Sequence, residues 1–252
     1  MKQEEKYCIV IPCYNEGMRL PIEEYQSFLH DTSHVLLCFV NDGSIDNTLQ
    51  ILEELQIQHR GKVDVVSYPN NVGKAEAVRR GIHFCNNKYT HSFIAYLDAD
   101  LSTSIQECVS MTQYLKDPIE CCFGSRQEQV GSIIQRKTHR LLIGRIVASI
   151  ISRILKLNVF DTQCGCKLFT KNLSIQLFEH PFISKWLFDV EIFLRLVTLY
   201  GRQRATEKML EVPLARWVDK GVSSVKMTYI FKLWVDLYHI HKTYNLANNK
   251  SS

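Results

Sequence analysis

The stretch IAYLDADLST, residues 94–103, indicates the fold class and at the same time raises a question about charge. Its apolar first half predicts a buried strand, and that strand runs directly into two carboxylates, Asp98 and Asp100. Two like charges this close repel unless a cation lies between them or one of them takes up a proton. The pair therefore indicates a divalent metal, a basic partner or an ordinary turn that faces solvent.

Segments with strand patterns alternate with helix patterns on both sides of this stretch. Strands are predicted at 7–11, 35–44, 63–69, 91–100 and 121–126. Helices are predicted at 20–31, 47–58, 104–116 and directly after the loop 70–74. Pro12 is expected to break the first strand. The alternation predicts βαβ units, and therefore an α/β fold with a Rossmann-like, mostly parallel central sheet flanked by helices.

Nearly every predicted strand ends in a polar cluster. The clusters are Tyr14-Asn15-Glu16, Asp42-Gly43-Ser44, the Asp98/Asp100 pair and Ser125-Arg126. In open parallel sheets, ligands bind outside the carboxyl ends of the strands, so we expect these clusters to meet in one crevice. The loop 70–74 adds a glycine turn and Lys74 close to a helix start, which suits a phosphate or a partner carboxylate.

The composition excludes several classes of protein. The chain has 252 residues, is 46% hydrophobic and carries a net charge of +4, so it can build a sizeable core and is only mildly basic. Its nine cysteines have no zinc spacing, and its start is not that of a signal peptide, so we expect reduced thiols in the cytoplasm. No apolar run is long enough for a transmembrane helix. Without stacking aromatics among its cations, the chain is not expected to bind nucleic acid.

The composition changes after residue 126. Seven lysines and arginines lie between residues 126 and 156 against one acid, Glu128. A helix over 133–157 would be amphipathic and basic, which indicates either a membrane-surface helix or a core helix with snorkelling cations. The aromatic stretch 229–244 predicts a second amphipathic helix. Its Trp234, Tyr238 and Tyr244 suit a membrane boundary, or the helix simply packs on the domain.

Seven motifs together resemble a known family. They are IPCYNE at 11–16, VNDGSIDNT at 40–48, NNVGKAEAV at 70–78, LDAD at 97–100, GSR at 124–126, DTQCGCKLF at 161–169 and WLFDVE at 186–191. In order and spacing they resemble the inverting family 2 glycosyltransferases of GT-A fold. The last two resemble the dolichyl-phosphate β-glucosyltransferases and related polyprenyl-phosphate enzymes. The resemblance covers roughly residues 7–240.

The resemblance implies one continuous GT-A domain with a nucleotide-sugar half, 1–130, an acceptor half with amphipathic helices, 131–245, and a flexible tail, 246–252. The implied nucleotide-sugar contacts are Pro12, Tyr14, Asn15, Glu16, Asp42, Ser44, Lys74, Asp98 and Ala99. Tyr14 would stack on the base, and Asp42 would accept from a uracil N–H. Asp98 and Asp100 would hold Mg²⁺ or Mn²⁺, because hard oxygen ligands suit these ions.

The implied acceptor is a polyprenyl phosphate, a group already largely dianionic at neutral pH. Arg126, Arg136 and Lys167, with Arg140 as a weaker candidate, would offset its repulsion from the donor diphosphate. Asp161 aligns with a proposed base or acceptor-orienting carboxylate; its other interpretation is a structural partner of Lys167 or an arginine. Asp189 and Glu191 lie two apart on a predicted helix, so at most one is expected to enter the site.

The expected activity is metal-dependent, inverting transfer of a hexose, glucose from UDP-glucose, onto a polyprenyl (dolichyl-type) phosphate. Alternatives are a sugar hydroxyl acceptor in surface polysaccharide synthesis, or nucleotide-sugar binding without turnover. Two departures bear on this: Asn41 stands where the family usually has aspartate, and Ser102 where glutamine often follows the acidic pair. We expect the protein in the cytoplasm, held peripherally at the inner face of the membrane.

Overall fold

The computed structural model describes residues 7–129, 131–135, 151, 157–218, 220 and 228–248. Most of the helix predicted over 133–157 lies outside these residues, as do Arg136 and Arg140. Where the structure describes its first residues, Ile133–Gln135 forms a strand instead, so a helix beginning at 133 is wrong. The reason is tertiary: this segment pairs in parallel with Arg216–Val218, which supplies its backbone hydrogen bonds.

Nine strands lie in the described residues. They are β1 (Tyr7–Cys13), β2 (Val35–Asp42), β3 (Val63–Tyr68), β4 (Phe93–Leu97), β5 (Cys121–Ser125), β6 (Ile133–Gln135), β7 (Cys166–Thr170), β8 (Met209–Pro213) and β9 (Arg216–Val218). Seven of them form one sheet in the order β3-β2-β1-β4-β7-β5-β8, and β6 pairs separately with β9. The α/β prediction is confirmed.

Helices follow each of the first four strands as the alternation predicted, whereas three helices come in succession after β7. The helices with bounds in the described residues are α1 (Ile22–Asp31), α2 (Thr48–Gln58), α3 (Lys74–Lys88), α4 (Ile105–Ser110), α5 (Lys171–Leu177), α6 (Phe188–Tyr200), α7 (Arg202–Glu207) and α8 (Thr228–Asn248). A short 3₁₀ helix at Met111–Tyr114 continues α4, where the sequence predicted a single helix to residue 116.

The sheet is parallel except at β7. This strand runs antiparallel to both of its neighbours, β4 and β5, while β3, β2, β1 and β4 are mutually parallel and β5 is parallel to β8. The start of β7 therefore lies at the edge of the sheet where β4 and β5 end. That reversal carries the loop before β7, residues 161–165, to the same edge as Asp98.

Pro12 does not end the first strand. It lies within β1, opposite Val40 of β2. On the other side β1 pairs with β4 only as far as Val10. A residue without an N–H is tolerated here because the ladder with β4 has already stopped.

Both faces of the sheet are buried, as expected for a parallel sheet between helices. Alternate residues of β1 point to opposite faces: Val10 joins the core that includes α3 and α6, and Ile11 joins the core that includes α1 and α2. All nine cysteines are buried free thiols.

The C-terminal helix was predicted over 229–244 and is present as α8. Leu237 and Ile240 are buried against the domain, whereas Trp234 and Tyr238 are 43% and 61% exposed. Tyr244 donates a hydrogen bond to Glu191 and accepts one from Arg195 in α6, so it is part of the domain packing rather than a free boundary residue. Among the described residues, no helix combines the length and apolarity needed to cross a bilayer.

Candidate active site

The loops after β1 and β2 interlock at the carboxyl edge of the sheet. Asn15 has a positive φ of 52°, its N–H donates to Ser44 Oγ at 3.0 Å, and its Oδ1 accepts from the N–H of Ile45 at 2.9 Å. The N–H of Glu16 donates to Thr48 Oγ1 at 2.8 Å. Tyr14 remains 44% exposed beside these bonds, so its ring is available to a ligand.

Asp42 holds the loop that leads into α3. It is buried, and its two oxygens accept from the N–H groups of Val72 and Gly73 at 2.9 and 2.8 Å. Gly73 has a φ of +100°, a backbone conformation that side chains rarely adopt. Each carboxylate oxygen retains a second lone pair for a ligand, so the predicted contact with a base remains a prediction.

Lys74 begins α3 and reaches across to β4. Its Nζ lies 2.5 Å from Asp98 Oδ1. Burial opposes the charged form of Lys74, but the carboxylates of Asp98, Asp189 and Asp100 outweigh it, so the pKa of Lys74 lies above its usual value. The predicted cation of the loop 70–74 and the predicted acidic pair of β4 therefore belong to one site.

Gly165, in the loop before β7, lies directly against Asp98. Its carbonyl accepts from the N–H of Asp98 at 2.9 Å. A Cβ placed on Gly165 would lie only 1.9 Å from Asp98 Oδ2. Sequence reasoning missed this residue. Gly165 lies within the motif DTQCGCKLF, but the need for a glycine there comes from Asp98, a neighbour only in the folded structure.

Asp98 and Asp100 provide the oxygen ligands that Mg²⁺ and Mn²⁺ prefer. Asp100 Oδ1 accepts from the N–H of Ser102 at 2.9 Å, which orients its carboxylate. No group of three or more histidine, cysteine, aspartate or glutamate side chains suited to a metal occurs in the described residues. The pair fits an ion whose remaining ligands come from phosphate oxygens and water, as is usual for Mg²⁺. Between the two, Ala99 is buried and its carbonyl accepts from Tyr25 at 3.0 Å.

Glu16 is a third carboxylate near the acidic pair. Burial raises its pKa to about 7; Arg19 acts in the opposite direction, and the charges of Asp100 and Asp98 add to the rise. Its carboxylate lies 2.9 Å from the guanidinium of Arg19. This local concentration of negative charge favours the binding of a cation.

Arg126 and Asp161 form a bidentate ion pair at the end of β5. Nε and a terminal nitrogen of Arg126 donate to the two oxygens of Asp161 at 2.6 and 2.7 Å, and the backbone N–H of Arg126 adds a third bond at 2.9 Å. Burial would raise the pKa of Asp161, but Arg126 lowers it to about 2. The guanidinium carbon of Arg126 lies 5.3 Å from the centroid of the Trp217 ring. Asp161 is therefore held as an orienting partner of Arg126 and is a poor proton acceptor at neutral pH.

Lys167 is enclosed by the protein. It is fully buried, and its Nζ donates to the carbonyls of Thr162 and Cys164 at 3.0 and 2.8 Å and to Asp189 at 2.6 Å. Tyr96 also donates to Asp189. All three protons of the ammonium are used, so this placement argues against the predicted contact between Lys167 and a phosphate. Lys167 instead fastens the loop 161–165 to α6.

Asp189 and Glu191 point in different directions from α6, as their spacing indicated. Asp189 meets Lys167, whereas Glu191 accepts from Arg195 at 2.8 Å and from the N–H of Ile183 at 2.8 Å. Glu211, which sequence reasoning also missed, accepts from the N–H groups of Phe160 and Asp161 at 2.9 and 2.8 Å. It lies far along the chain, and no motif indicates it.

Comparison with known proteins identifies the family of the chain. The sequence model of the family described as glycosyl transferase family 2 matches residues 8–178, more than half of the chain. The chain belongs to glycosyl transferase family 2. Among curated members, a dolichyl-phosphate β-glucosyltransferase of Mus musculus is 31% identical over 90% of this chain and 76% of its own length. A dolichyl-phosphate β-glucosyltransferase of Trichomonas vaginalis is 30% identical over 92% of this chain and 69% of its own length.

The family fold is also found in solved structures. A glucosyl-3-phosphoglycerate synthase from Mycobacterium tuberculosis, solved with Mn²⁺, UDP-glucose and phosphoglyceric acid, has a TM-score of 0.68 at 15% identity and covers 95% of this chain and 80% of its own. A mannosyl-3-phosphoglycerate synthase from Rubrobacter xylanophilus has a TM-score of 0.68 at 14% identity, and the match covers 98% of this chain and 75% of the synthase. At this identity the likeness establishes the fold. The family membership and the curated relatives make the chain a glycosyltransferase.

Proposed function

We propose that this family 2 enzyme transfers glucose from UDP-glucose to a polyprenyl phosphate with inversion. The observation that carries the proposal is the convergence of two charged groups at one edge of the sheet. Lys74 with Asp98 and Asp100 forms the donor side, and Arg126 with Asp161 forms the acceptor side. Asp98 contributes to the raised pKa of Arg126, after Asp161 and Cys164 and against the effect of burial, so the two groups lie within electrostatic range. Relatives named dolichyl-phosphate β-glucosyltransferase support this choice of substrates.

On the donor side, Asp98 and Asp100 would hold Mg²⁺ or Mn²⁺. A bound ion of this kind supplies positive charge to a departing diphosphate. Lys74 lies beside the same carboxylates and adds a second positive charge there. Tyr14, Asn15 and Ser44 line the adjoining loops, where the exposed ring of Tyr14 would stack on uracil.

On the acceptor side, a phosphate oxygen attacks the anomeric carbon from the face opposite the diphosphate, and UDP leaves with the electrons of the broken bond. An α-linked donor then gives a β-linked product. A phosphate monoester needs almost no deprotonation at neutral pH. Arg126 is held rigid by Asp161, which preorganises its charge for the approaching oxyanion.

The pairing of the three carboxylates that the sequence suggested as a base favours this acceptor over a sugar hydroxyl. A hydroxyl nucleophile needs a general base. Each carboxylate that the sequence suggested for that task is paired with a cation: Asp161 with Arg126, Asp189 with Lys167, and Glu191 with Arg195. The lipid tail of the acceptor would lie along an apolar surface near the exposed Trp234 and Tyr238, with the protein held peripherally at the membrane.

The test is transfer of labelled glucose from UDP-glucose to a purified polyprenyl phosphate with Mn²⁺ or Mg²⁺. We expect lipid-extractable label that disappears with a chelator and with Asp100→Asn. Glu54→Gln, an exposed substitution on α2, serves as the matched control and should retain activity. Failure to label the lipid with any common nucleotide sugar would refute the proposal. Label on an oligosaccharide acceptor instead would support the hydroxyl alternative.

A further inference from the structure

The segment 184–188, which leads into α6, lies against the start of α3 on the donor side of the proposed site. The ring centroid of Phe188 is 5.8 Å from Lys74 Nζ. The backbone carbonyl of Lys185 accepts a hydrogen bond from the N–H of Ala75 at 3.2 Å. Two contacts of different kinds therefore place this segment beside the cation that begins α3.

The aliphatic part of the Lys185 side chain covers Gly73. A Cβ placed on Gly73 would lie 2.9, 3.0 and 3.1 Å from Cδ, Cβ and Cγ of Lys185. The N–H of Gly73 donates to Asp42, the predicted base contact, and the next residue, Lys74, reaches the predicted metal ligand Asp98. The ammonium of Lys185 is at the end of the side chain, just beyond Cδ. Its charge is therefore held beside the loop that connects the predicted base contact to the predicted metal site.

The backbone of Lys185 is fixed on both sides. Its own carbonyl is bonded to Ala75, and the preceding residue, Ser184, is buried. Ser184 Oγ donates to Asp236 of α8 at 2.6 Å and accepts from the N–H of Leu187 at 3.0 Å. Because the backbone is already ordered, a ligand that binds Lys185 has only the end of one side chain to immobilise, which lowers the entropic cost of binding.

Lys185 carries a positive charge that no carboxylate of the described residues matches. Its side chain is exposed, and in that part of the chain it makes neither an ion pair nor a hydrogen bond. Three other cations of the site are each matched by a carboxylate: Lys74 by Asp98, Arg126 by Asp161 and Lys167 by Asp189. The ammonium of Lys185 is therefore available to an anion from outside the chain.

The position of Lys185 is unfavourable for the folded chain without a ligand. Its positive charge lies near that of Lys74 and at the start of α3, the end at which a helix already carries partial positive charge. A charge that opposes stability at such a place is common where function requires it. Removing the charge should therefore leave the fold as stable as before, or make it more stable.

We propose that the ammonium of Lys185 binds the diphosphate of the nucleotide sugar and stabilises it as it leaves. The inference rests on the proposed function, because it requires a nucleotide sugar at Asp98. Uracil and ribose are neutral, whereas the diphosphate is charged and gains further negative charge on departure. Lysine is a common ligand of phosphate groups and acts there as a point charge.

The experiment measures the binding of UDP with Mn²⁺ to the full chain by calorimetry. We expect Lys185→Met to weaken UDP binding by about tenfold, the lower value of a hydrogen bond to a charged group. Lys185→Arg keeps the charge and should retain most of the affinity. Uridine, measured by displacement of UDP, should bind the wild type and Lys185→Met equally. The difference in UDP affinity should shrink as salt is added, because the contact is exposed.

Lys116→Met is the matched control. The side chain of Lys116 is also exposed and has no partner in the described residues, but it precedes β5 and so lies at the opposite edge of the sheet. The control removes the same charge and should leave UDP binding and glucosyl transfer unchanged. Neither substitution should lower the melting temperature. An equal loss of UDP affinity in both variants would assign the effect to net charge and overturn the contact.

Three further results would overturn the inference. They are an unchanged UDP affinity in Lys185→Met, an equal loss of uridine and UDP binding, and a raised KM for polyprenyl phosphate with UDP affinity intact. The second would assign Lys185 to the base, and the third would assign it to the acceptor. If the wild type does not bind UDP, the proposed donor is wrong and the inference falls with it. Unchanged UDP affinity together with intact transfer in Lys185→Met would leave the proposed function standing and remove only this inference.

Discussion

Replacing Gly165 by alanine tests the close approach on which the proposed donor site depends. The added Cβ would lie 1.9 Å from Asp98 Oδ2 and 2.2 Å from its Cγ, whereas real Cβ contacts are essentially never shorter than 3.0 Å. The carboxylate must therefore move by about 1.1 Å, the difference between 3.0 and 1.9 Å. Metal–ligand distances tolerate only about 0.2 Å, and a 1 Å misplacement can cost on the order of 100-fold in rate.

We expect Gly165→Ala to fold, because the group that must move is the end of a side chain and Gly165 has no left-handed φ. Glucosyl transfer to polyprenyl phosphate should fall at least about 100-fold. The Mn²⁺-dependent rise in melting temperature with UDP should shrink in parallel, since ligand stabilisation follows affinity.

Gly61→Ala provides the control for stability. Gly61 has a φ of +83° and open space around it at the start of β3, on the opposite edge of the sheet. Alanine there should cost about 1–2 kcal/mol in the free energy of unfolding and leave transfer unchanged. If Gly165→Ala keeps wild-type transfer and Mn²⁺-dependent UDP binding while Asp98→Asn loses both, the reasoning about Gly165 is wrong.

Three further predictions concern two ion pairs and Tyr14, which is proposed to stack on the base. Lys167→Met strands the buried Asp189 and should cost about 3–5 kcal/mol in the free energy of unfolding by urea; a loss below about 1 kcal/mol would contradict the buried pair. Asp161 has its pKa lowered from 3.8 to about 2 in the folded protein, so its ionised form stabilises the fold by about 2 kcal/mol above pH 4. This stability is lost as pH falls toward 2. The difference in the free energy of unfolding by urea between wild type and Asp161→Asn should therefore shrink over that range. A difference that stays constant with pH would contradict the role of the ionised carboxylate. Tyr14→Ala should weaken the binding free energy of UDP by about 1–3 kcal/mol, the value of one lost stacking contact, whereas Tyr14→Phe retains the ring and should bind UDP normally.

The sequence alone was sufficient for the class of fold and for the residues at the strand ends. Apolar runs followed by polar clusters predict the ends of β1, β2, β4 and β5, because a buried strand and its exposed end differ in composition. Lys74 and Asp98 were both identified from their motifs, and the structure places them 2.5 Å apart. Parallel strands bring their carboxyl ends together, so this convergence follows from local patterns.

Local patterns failed where a residue's role depends on a distant neighbour. The segment Ile133–Gln135 has an apolar pattern that suits a helix, yet β9 provides a partner strand and makes it extended. Lys167 has the charge expected of a phosphate ligand, but its burial beside Asp189 was visible only in three dimensions. Tyr244 resembles a membrane-boundary residue in sequence, and its bonds to Glu191 and Arg195 place it in the domain.

By itself the sequence determined the alternation of strands and helices, the family, and the acidic and basic groups that chemistry of this kind requires. Tertiary structure alone decided how the charges pair, because a pairing depends on which strands adjoin. The reversal of β7 carries Gly165 and Asp161 to the edge where β4 and β5 end. Ion pairs and close backbone approaches act over a few ångströms, and distances that short between residues far apart in the chain are set by the folded topology.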